Sequence, residues 1–360
     1  MKSIQRITSI LALIAIAQAC RVDKGPVGPR TSMRLMTDEA EEPPQYGPWS
    51  APVNLGPVIN TAANENHPAI SKDGLSLYIS SDRAGGLGGT DIWVSQRACT
   101  DSGDPACAWQ TPVNLGPSIN SVGNDVAPAL TVDGHWMYFH STGGPTRPTF
   151  GLADLFVARR HDKHDDFAWE PAENLGGVVN GPYADAGPTY FEDESTGITT
   201  LYFTVQNNPP TSDQGFDIYA TTRVDDEAAW GPPALVRELS SPFRDTRTTI
   251  RRDGLELILS SGRPGGVGSE DLWVSTRAST LDPWSPPVNL DAENIALGRP
   301  PVVNSTSFDG APALSFDGTT LYFFSERPGG FGKRDLYVTT RARLGERDVV
   351  AKSREMSRPE

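Results

Sequence analysis

The sequence predicts an all-β fold, and three observations carry this prediction. A segment that begins with tryptophan returns five times, at Trp49, Trp109, Trp169, Trp230 and Trp284. Short runs of alternating apolar and polar residues follow each copy, such as HPAIS, LSLYISS and DIWVSQR after the first, and a period of two is typical of strands. In four copies an Asp-Gly pair separates the first two runs, which is the strongest short-range indication of a β-hairpin.

Each repeat contains four strands, named A to D in chain order. Strand A begins near residues 67, 127, 187, 247 and 311 and reads HPAIS, APALT, GPTYF, RTTIR and APALS. Strand B follows the turn and reads LSLYISS, HWMYFHS, TTLYFTV, LELILSS and TTLYFFS. Strand C reads DIWVSQR, DLFVARR, DIYATTR, DLWVSTR and DLYVTTR, and the tryptophan segment supplies strand D. Helix-period segments are essentially absent, so the blades are expected to be antiparallel sheets.

The order of these strands predicts a closed ring. The first D segment, at 49–56, precedes every A-B-C set, and the last set has no D segment after it. If the N-terminal D strand completes the C-terminal blade, no sheet edge remains exposed. The sequence therefore predicts one domain over 46–342, a single five-bladed β-propeller of four-stranded blades.

The repeat resembles a known family at residues 68–97 and 312–341, PAISKDGLSLYISSDRAGGLGGTDIWVSQR and PALSFDGTTLYFFSERPGGFGKRDLYVTTR. Both stretches are similar to the WD-like β-propeller repeat of TolB and of many bacterial envelope lipoproteins. The resemblance covers nearly all of 46–342 and implies the fold and an envelope setting. It implies no particular activity or partner, because one fold hosts many functions.

The N-terminal segment is expected to direct export and anchoring. Residues 1–19 combine basic residues with the apolar run ILALIAIA, as in a signal peptide. Cys20 follows directly and resembles the lipidated cysteine of bacterial lipoproteins, the alternative being ordinary cleavage with a spare thiol. Residues 20–45 are interpreted as this lipidated cysteine with a flexible tether, and 343–360 as a charged tail. The expected location is the outer membrane of a bacterial envelope, facing the periplasm or the surface, with contact to the membrane through the lipid alone.

The cysteines, the net charge and the histidines predict a disulfide and argue against nucleic-acid and metal binding. Cys99 and Cys107 bracket the short loop CTDSGDPAC and are predicted to form a disulfide. The formal charge of −14 argues against nucleic acid as a partner. His161 and His164 lie in the loop RRHDKHDDF, which is interpreted as a solvated charged loop rather than a metal site. No cofactor and no metal are expected, and the chain is expected to be a monomer.

An acidic residue stands just before each strand A, and the five acids are expected to surround one mouth of the central channel. The D–A and B–C loops open on this face of a propeller, and the A–B and C–D connections open on the other. The acids could form a cation or ligand site, or each could hold its own loop. Five-fold repetition favours the structural role, because a site for chemistry should break the symmetry. The acid ring consists of Glu65, Asp125, Asp185, Asp245 and Asp309.

The symmetry breaks in the B–C loops of blades two and three. Blades one, four and five share a glycine-rich loop with an arginine, Arg83, Arg263 or Arg327, which is predicted to pair with the acid ring. The loops of blades two and three are longer and differ, so Asp125 and Asp185 are expected to lack that partner. We therefore expect a ligand surface here, unless the longer loops merely fold over the top. The predicted ligand residues are Asp125, Asp185, Arg147, Phe150, Tyr183, Asn207 and Asn208.

Two functional classes fit these observations. The preferred interpretation is a non-enzymatic binding or scaffolding module for an envelope protein or a glycan. The alternative is a glycan-active hydrolase that uses carboxylates at the channel mouth, with Asp125 and Asp185 as candidates. Glycoside hydrolysis needs two carboxyl groups roughly 5–10 Å apart with different pKa values. The sequence does not name the ligand, and it does not mark either aspartate as acid or base.

Overall fold

The strands of the computed structural model form five separate four-stranded antiparallel sheets. The structure describes residues 44–101, 103–206, 215–225 and 228–345. The strands A are β2 (Glu65–Ile70), β6 (Asp125–Leu130), β10 (Asp185–Glu192), β14 (Asp245–Ile250) and β18 (Asp309–Leu314). The strands B are β3 (Ser76–Ser81), β7 (Trp136–Ser141), β11 (Thr199–Gln206), β15 (Glu256–Ser261) and β19 (Thr320–Ser325). The strands C are β4 (Asp91–Gln96), β8 (Asp154–Arg159), β12 (Phe216–Arg223), β16 (Asp271–Thr276) and β20 (Asp335–Thr340).

The strands D are short, and the first of them closes the ring. They are β1 (Val53–Asn54), β5 (Val113–Asn114), β9 (Glu173–Asn174), β13 (Ala234–Leu235) and β17 (Val288–Asn289). Strand β1 pairs antiparallel with β20, with Val53 opposite Val338. The sheet order β1-β20-β19-β18 confirms that the N-terminal strand completes the C-terminal blade. Helix is confined, in the described ranges, to a 3-10 turn at Pro105–Cys107 and α1 (Ala292–Ala296).

The five blades surround a central channel. Each strand A contacts the strand A of the next blade, and β18 contacts β2, so the contacts form a complete circle. Between blades, apolar side chains of strands B and C pack into shared cores. Tyr78 and Ile92 of blade one, for example, pack with Phe139 and Phe156 of blade two. Burial of these side chains is the main force that holds neighbouring blades together.

A β-bulge interrupts strand A near its middle. The residue at the bulge has positive φ in all five blades: His67, Ala127, Gly187, Arg247 and Ala311. A bulge redirects side chains and is often found next to functional sites. The bulge N–H of Ala127 donates to Ser80 Oγ of the preceding blade at 3.0 Å, and that of Gly187 donates to His140 Nδ1 at 3.3 Å. The bulges therefore link the blades around the channel.

Several predicted features lie at or beyond the limits of the described residues. The predicted signal peptide, Cys20, nearly all of the tether and most of the 343–360 tail are outside them, as are Asn207 and Asn208.

Cys99 and Cys107 are joined by a disulfide in the C–D loop of blade one, with a Cα–Cα distance of 4.6 Å. Within the described ranges, no helix is long and apolar enough to cross a membrane.

Candidate functional site

The acid ring holds the D–A loops in place. All five carboxylates are buried. Each accepts a hydrogen bond from the backbone N–H four residues earlier, as from Thr61 to Glu65 at 2.8 Å and from Ser305 to Asp309 at 2.6 Å. The same bond is made by Ser121 N to Asp125, Gly181 N to Asp185 and Ser241 N to Asp245. This geometry gives each acid a structural role in its own blade.

Four of the five acids also pair with an arginine. Arg83, Arg263 and Arg327 contact Glu65, Asp245 and Asp309 at 3.1, 2.6 and 2.7 Å. The expectation that Asp125 has no arginine is wrong, because Arg147 contacts it at 2.7 Å.

Arg147 occupies the same place in space as its counterparts in other blades. It donates to Ile119 O at 2.5 Å, just as Arg83 donates to Ile59 O at 2.6 Å. The longer loop of blade two therefore delivers a guanidinium from a different sequence position, which the spacing of residues could not reveal.

Asp185 is the exception in the acid ring. Within the described residues no arginine contacts it, and its hydrogen bond from Gly181 N is 2.6 Å long. Burial raises the pKa of Asp185 from 3.8 to about 6, and the nearby Asp154 carboxylate adds to this rise. Asp185 and Asp125 therefore differ in environment, although they occupy equivalent positions.

The remaining predicted ligand residues do not converge on one described pocket. Phe150 is 62% exposed, and its ring lies against Gly177. Tyr183 is half-buried, and its carbonyl accepts a bond from Leu152 N at 2.8 Å. Arg147 and Asp125 thus pair with each other. The ligand role of the surface beside blades two and three stays a prediction.

A second group of polar side chains lies on the same face, beside blades four, five and one. We call it the mouth cluster, and it consists of Arg244, Glu270, Phe308, Phe324, Glu326 and Arg334. Arg244 Nε lies 3.1 Å from Glu270 Oε1, and Arg334 Nε lies 2.9 Å from Glu326 Oε1. The Arg334 guanidinium stacks over Phe308 and Phe324, whose ring centroids are 4.9 Å apart.

The mouth cluster extends into blade one and toward the channel. The main chain of Asn64 forms a bridge to Arg334, and both its backbone N and Nδ2 donate to the exposed Asp82 at 2.7 Å. The charges of Arg334 and Arg244 contribute to lowering the pKa of His67, a channel residue. These contacts place carboxylates, arginines and aromatic rings of three blades around one edge of the channel mouth.

Glu270 is the titratable group of this cluster suited to proton transfer. It is 8% exposed, and its Oε2 has no hydrogen-bond partner among the described residues. Burial raises the pKa of Glu270 from 4.5 to about 7, and the charges of Arg244 and Arg334 oppose this rise. A group that titrates near neutral pH can both give and take a proton, as acid–base catalysis requires.

Sequence reasoning missed Glu270, because it directly precedes the repeated Asp271 and was taken as part of the loop. The signal that could have found it is the comparison of this one position across the blades. The equivalent residues are Thr90, Ala153, Phe216, Glu270 and Arg334. Charged residues occur here only in blades four and five, so the mouth is asymmetric.

The channel below the mouth contains two uncharged histidines. The rings of His67 and His140 lie 6.4 Å apart. Burial and the nearby Arg247 lower the pKa of both rings, that of His140 to about 3. Because these pKa values are low, both imidazoles act at neutral pH as hydrogen-bonding groups, His67 with Asn66 and His140 with the Gly187 N–H.

Comparisons with known proteins identify the fold. No family model matches the chain, and no curated protein matches it. An α-L-arabinofuranosidase from Lactobacillus brevis matches with a TM-score of 0.53 and 14% identity over 82% of this chain and 94% of that one. The catalytic domain of a Coprinopsis cinerea GH62 α-L-arabinofuranosidase matches with 0.51 and 13% over 83% and 98%. A xylan β-1,4-xylosidase from Bacillus halodurans matches with 0.51 and 17% over 81% and 55%.

The chain is a five-bladed β-propeller. At these identities the likeness shows the fold alone. It nevertheless overturns the preference for a non-enzymatic module stated above, because the similar structures include several glycoside hydrolases.

Proposed function

We propose that this propeller is a glycan-active hydrolase whose reaction centre is the mouth cluster, with Glu270 as the general acid. The observation that carries the proposal is the buried Glu270 carboxyl, which has one unpartnered oxygen and a pKa of about 7. A glycosidase acid must hold its proton at working pH and deliver it to the leaving oxygen. Desolvation in a protein site provides this condition, since it disfavours the charged form.

Glu326 is the second carboxylate of the proposed centre. It is ion-paired with Arg334 at 2.9 Å, and its charge is close enough to raise the pKa of Glu270. In this proposal Glu326 stabilises positive charge at the sugar carbon or activates water. The two carboxyl groups have different environments, since Glu270 is buried with its pKa raised to about 7 and the Glu326 side chain is 25% exposed.

The similar structures suggest which substrates to test first. Their names describe them as arabinofuranosidases and a xylosidase, so pentosides are the first candidates here. We expect the described domain, residues 44–345, to release 4-nitrophenol from an α-L-arabinofuranoside or a β-D-xyloside. NMR of the first-formed sugar anomer will show whether configuration is retained or inverted.

The decisive variant is Glu270→Gln, which keeps the shape of the side chain and removes its proton. Loss of a general acid costs typically 10²–10⁴-fold, so we expect kcat on arabinoxylan, whose leaving oxygen needs a proton, to fall by about 100-fold or more. Glu194→Gln is the matched control, because Glu194 is an exposed acid on the opposite face, ion-paired with Arg252. Absence of turnover across a panel of pentosides, hexosides and natural arabinoxylan, or full activity of Glu270→Gln, would reject the proposal.

We also propose a cellular location for this activity. The predicted signal peptide and Cys20 support export and lipid anchoring, and the resemblance of the repeat to TolB-type propellers supports a bacterial envelope. An enzyme anchored there would meet glycans outside the cytoplasm, with the acidic domain held near the membrane by lipid alone.

A further inference from the structure

The channel has a second opening, on the face that carries the A–B turns. A cavity of about 180 Å³ lies there between the C-terminal halves of the strands A. Prolines and aliphatic residues form much of its wall, including Pro128, Leu130, Ile250 and Leu314. We call it the A–B cavity. It is separate from the mouth cluster, which lies on the other face.

One blade breaks the symmetry of this cavity. The residue after the bulge is proline in four blades and threonine in blade four: Pro68, Pro128, Pro188, Thr248 and Pro312. The bulge residue itself is arginine in blade four, where blades two and five have alanine and blade three has glycine. Blade four thus places Arg247 and Thr248 where blades two and five have an Ala-Pro pair.

Arg247 is buried, and some of its N–H groups make no hydrogen bond to the described residues. It is 5% exposed, and its Nη atoms donate to the carbonyls of Ala127, Pro188 and Pro128 at 3.1, 2.8 and 2.8 Å. A guanidinium has five N–H groups, so Nε–H and one Nη2–H remain. In the part of the chain that the structure describes, Nε has no hydrogen-bond partner. Burial lowers the pKa of Arg247 to about 9, and no carboxylate charge offsets this effect.

Thr248 adds a second unpartnered group to the same wall. Its Oγ1 is buried and makes no hydrogen bond to any residue of the described ranges. Both Arg247 and Thr248 line the A–B cavity. An unmade hydrogen bond in a buried site is costly, and an unpaired buried charge costs more. Two such groups side by side indicate a place where a ligand completes the hydrogen bonding.

The cavity has the size for a small ligand, and its rim carries charged side chains of both signs. An apolar cavity of 150 Å³ holds one benzene ring, so 180 Å³ accommodates one six-membered ring with a small substituent. At the rim, Lys72 and Arg252 lie over the Phe316 ring at 4.6 and 4.5 Å. Arg252 is paired with Glu194 at 2.7 Å, and Lys72 and Glu192 are further charged side chains that line the cavity.

We propose that the A–B cavity binds a small organic monocarboxylate with an apolar body. The carboxylate accepts hydrogen bonds from Nε and Nη2 of Arg247 and from the Thr248 hydroxyl, and the body contacts the prolines and aliphatic side chains. Arginine favours carboxylates because its planar edge offers two parallel donors. The apolar wall favours an aromatic or aliphatic acid over an inorganic anion.

Benzoate is the probe, with benzyl alcohol as a neutral ligand of similar shape. Isothermal titration of the 44–345 domain should show benzoate binding at least 10-fold more tightly than benzyl alcohol and more tightly than sulfate. Equal binding of benzoate and benzyl alcohol would overturn the role of Arg247. Equal binding of sulfate and benzoate would overturn the organic ligand.

The variant Arg247→Ala with Thr248→Pro gives blade four the Ala-Pro pair of blades two and five, so it is designed to keep the fold. Its preference for benzoate over benzyl alcohol should disappear, with an unchanged circular dichroism spectrum. If this variant does not fold, Thr248→Val removes only the hydroxyl and should weaken benzoate binding several-fold. Undiminished benzoate binding by the folded variants would reject the site. Glu270→Gln should bind benzoate like the wild type, so failure of the hydrolase proposal would leave this test intact.

Discussion

Asp125 and Asp185 are equivalent in sequence but differ in partners, and this difference predicts opposite effects of the same mutation. Asp185 has a pKa of about 6 against an ordinary 3.8, so folding opposes its ionisation. Its contribution to the free energy of unfolding is fully present below pH 4. This contribution is lost as the pH rises through about 6, and the loss is about 3 kcal/mol at most.

We therefore expect Asp185→Asn to stabilise the domain at pH 8 and to change little at pH 3.5. Asp125→Asn should destabilise the domain at pH 8, by about 3 kcal/mol, because it leaves the largely buried Arg147 side chain, 10% exposed, without its countercharge. Urea denaturation at the two pH values measures both effects. Equal destabilisation by the two substitutions would contradict the unpaired environment of Asp185.

The raised pKa of Glu270 predicts how the hydrolysis rate depends on pH. The proposed hydrolysis needs the acid form of this carboxyl, and burial raises its pKa to about 7. The rate of glycoside hydrolysis should therefore decline as the pH rises beyond about 7, and Glu270→Gln should remove this limb. A wild-type profile that stays flat to pH 9 would exclude Glu270 as the acid.

At the scale of single residues, the sequence predicted the positions of the buried acids better than the side chains that pair with them. The spacing of the acid ring located five carboxylates that the structure finds buried. It could not show that Arg147 reaches Asp125 from a longer loop, since that depends on the path of the backbone. Glu270 and Arg247 were missed because neither belongs to the repeat, although their departure from the repeat is visible in the sequence.

At the scale of loops, Arg147 distinguishes a structural role from the predicted ligand role. Arg147 and Arg83 make the same pair of contacts, to an acid of the ring and to a carbonyl in the D–A loop. We expect Arg147→Met and Arg83→Met to lower the melting temperature by similar amounts. An unchanged melting temperature for Arg147→Met alone would favour a ligand role for this side chain.

The C–D loop of blade one gives a second prediction at this scale. The Cys99–Cys107 disulfide closes a short loop, and the loop-entropy relation assigns such a crosslink about 2–3 kcal/mol. Changing both cysteines to serine should reduce the free energy of unfolding by no more than this and leave glycoside hydrolysis unchanged. A loss of hydrolysis without a loss of stability would show that the loop has another role.

For the whole molecule, the sequence predicted the architecture in full because closure follows from counting strands. The structure confirms five blades and the pairing of β1 with β20. Deleting residues 46–57 removes β1 and exposes the edge of β20, so the domain should unfold or associate through that edge. Size-exclusion chromatography and thermal melting measure the outcome, and a stable monomer would contradict the closure.

Anchoring is the second prediction for the whole molecule. We expect the mature chain to begin at Cys20 with acyl groups attached and to fractionate with membranes. Cys20→Ser should release the domain in soluble form without loss of fold. Mass spectrometry of the N-terminal peptide is the measurement, and an unmodified N-terminus would refute the lipid anchor.

The pairing that closes the ring also dictates an order of events during synthesis. Asn54 donates to Asp335 at 2.9 Å, a contact between residues 281 positions apart. The first strand to leave the ribosome must therefore wait unpaired until the last blade has been made. Contacts this distant in the chain form slowly. The circle of blades therefore cannot close before the final strand has been synthesised.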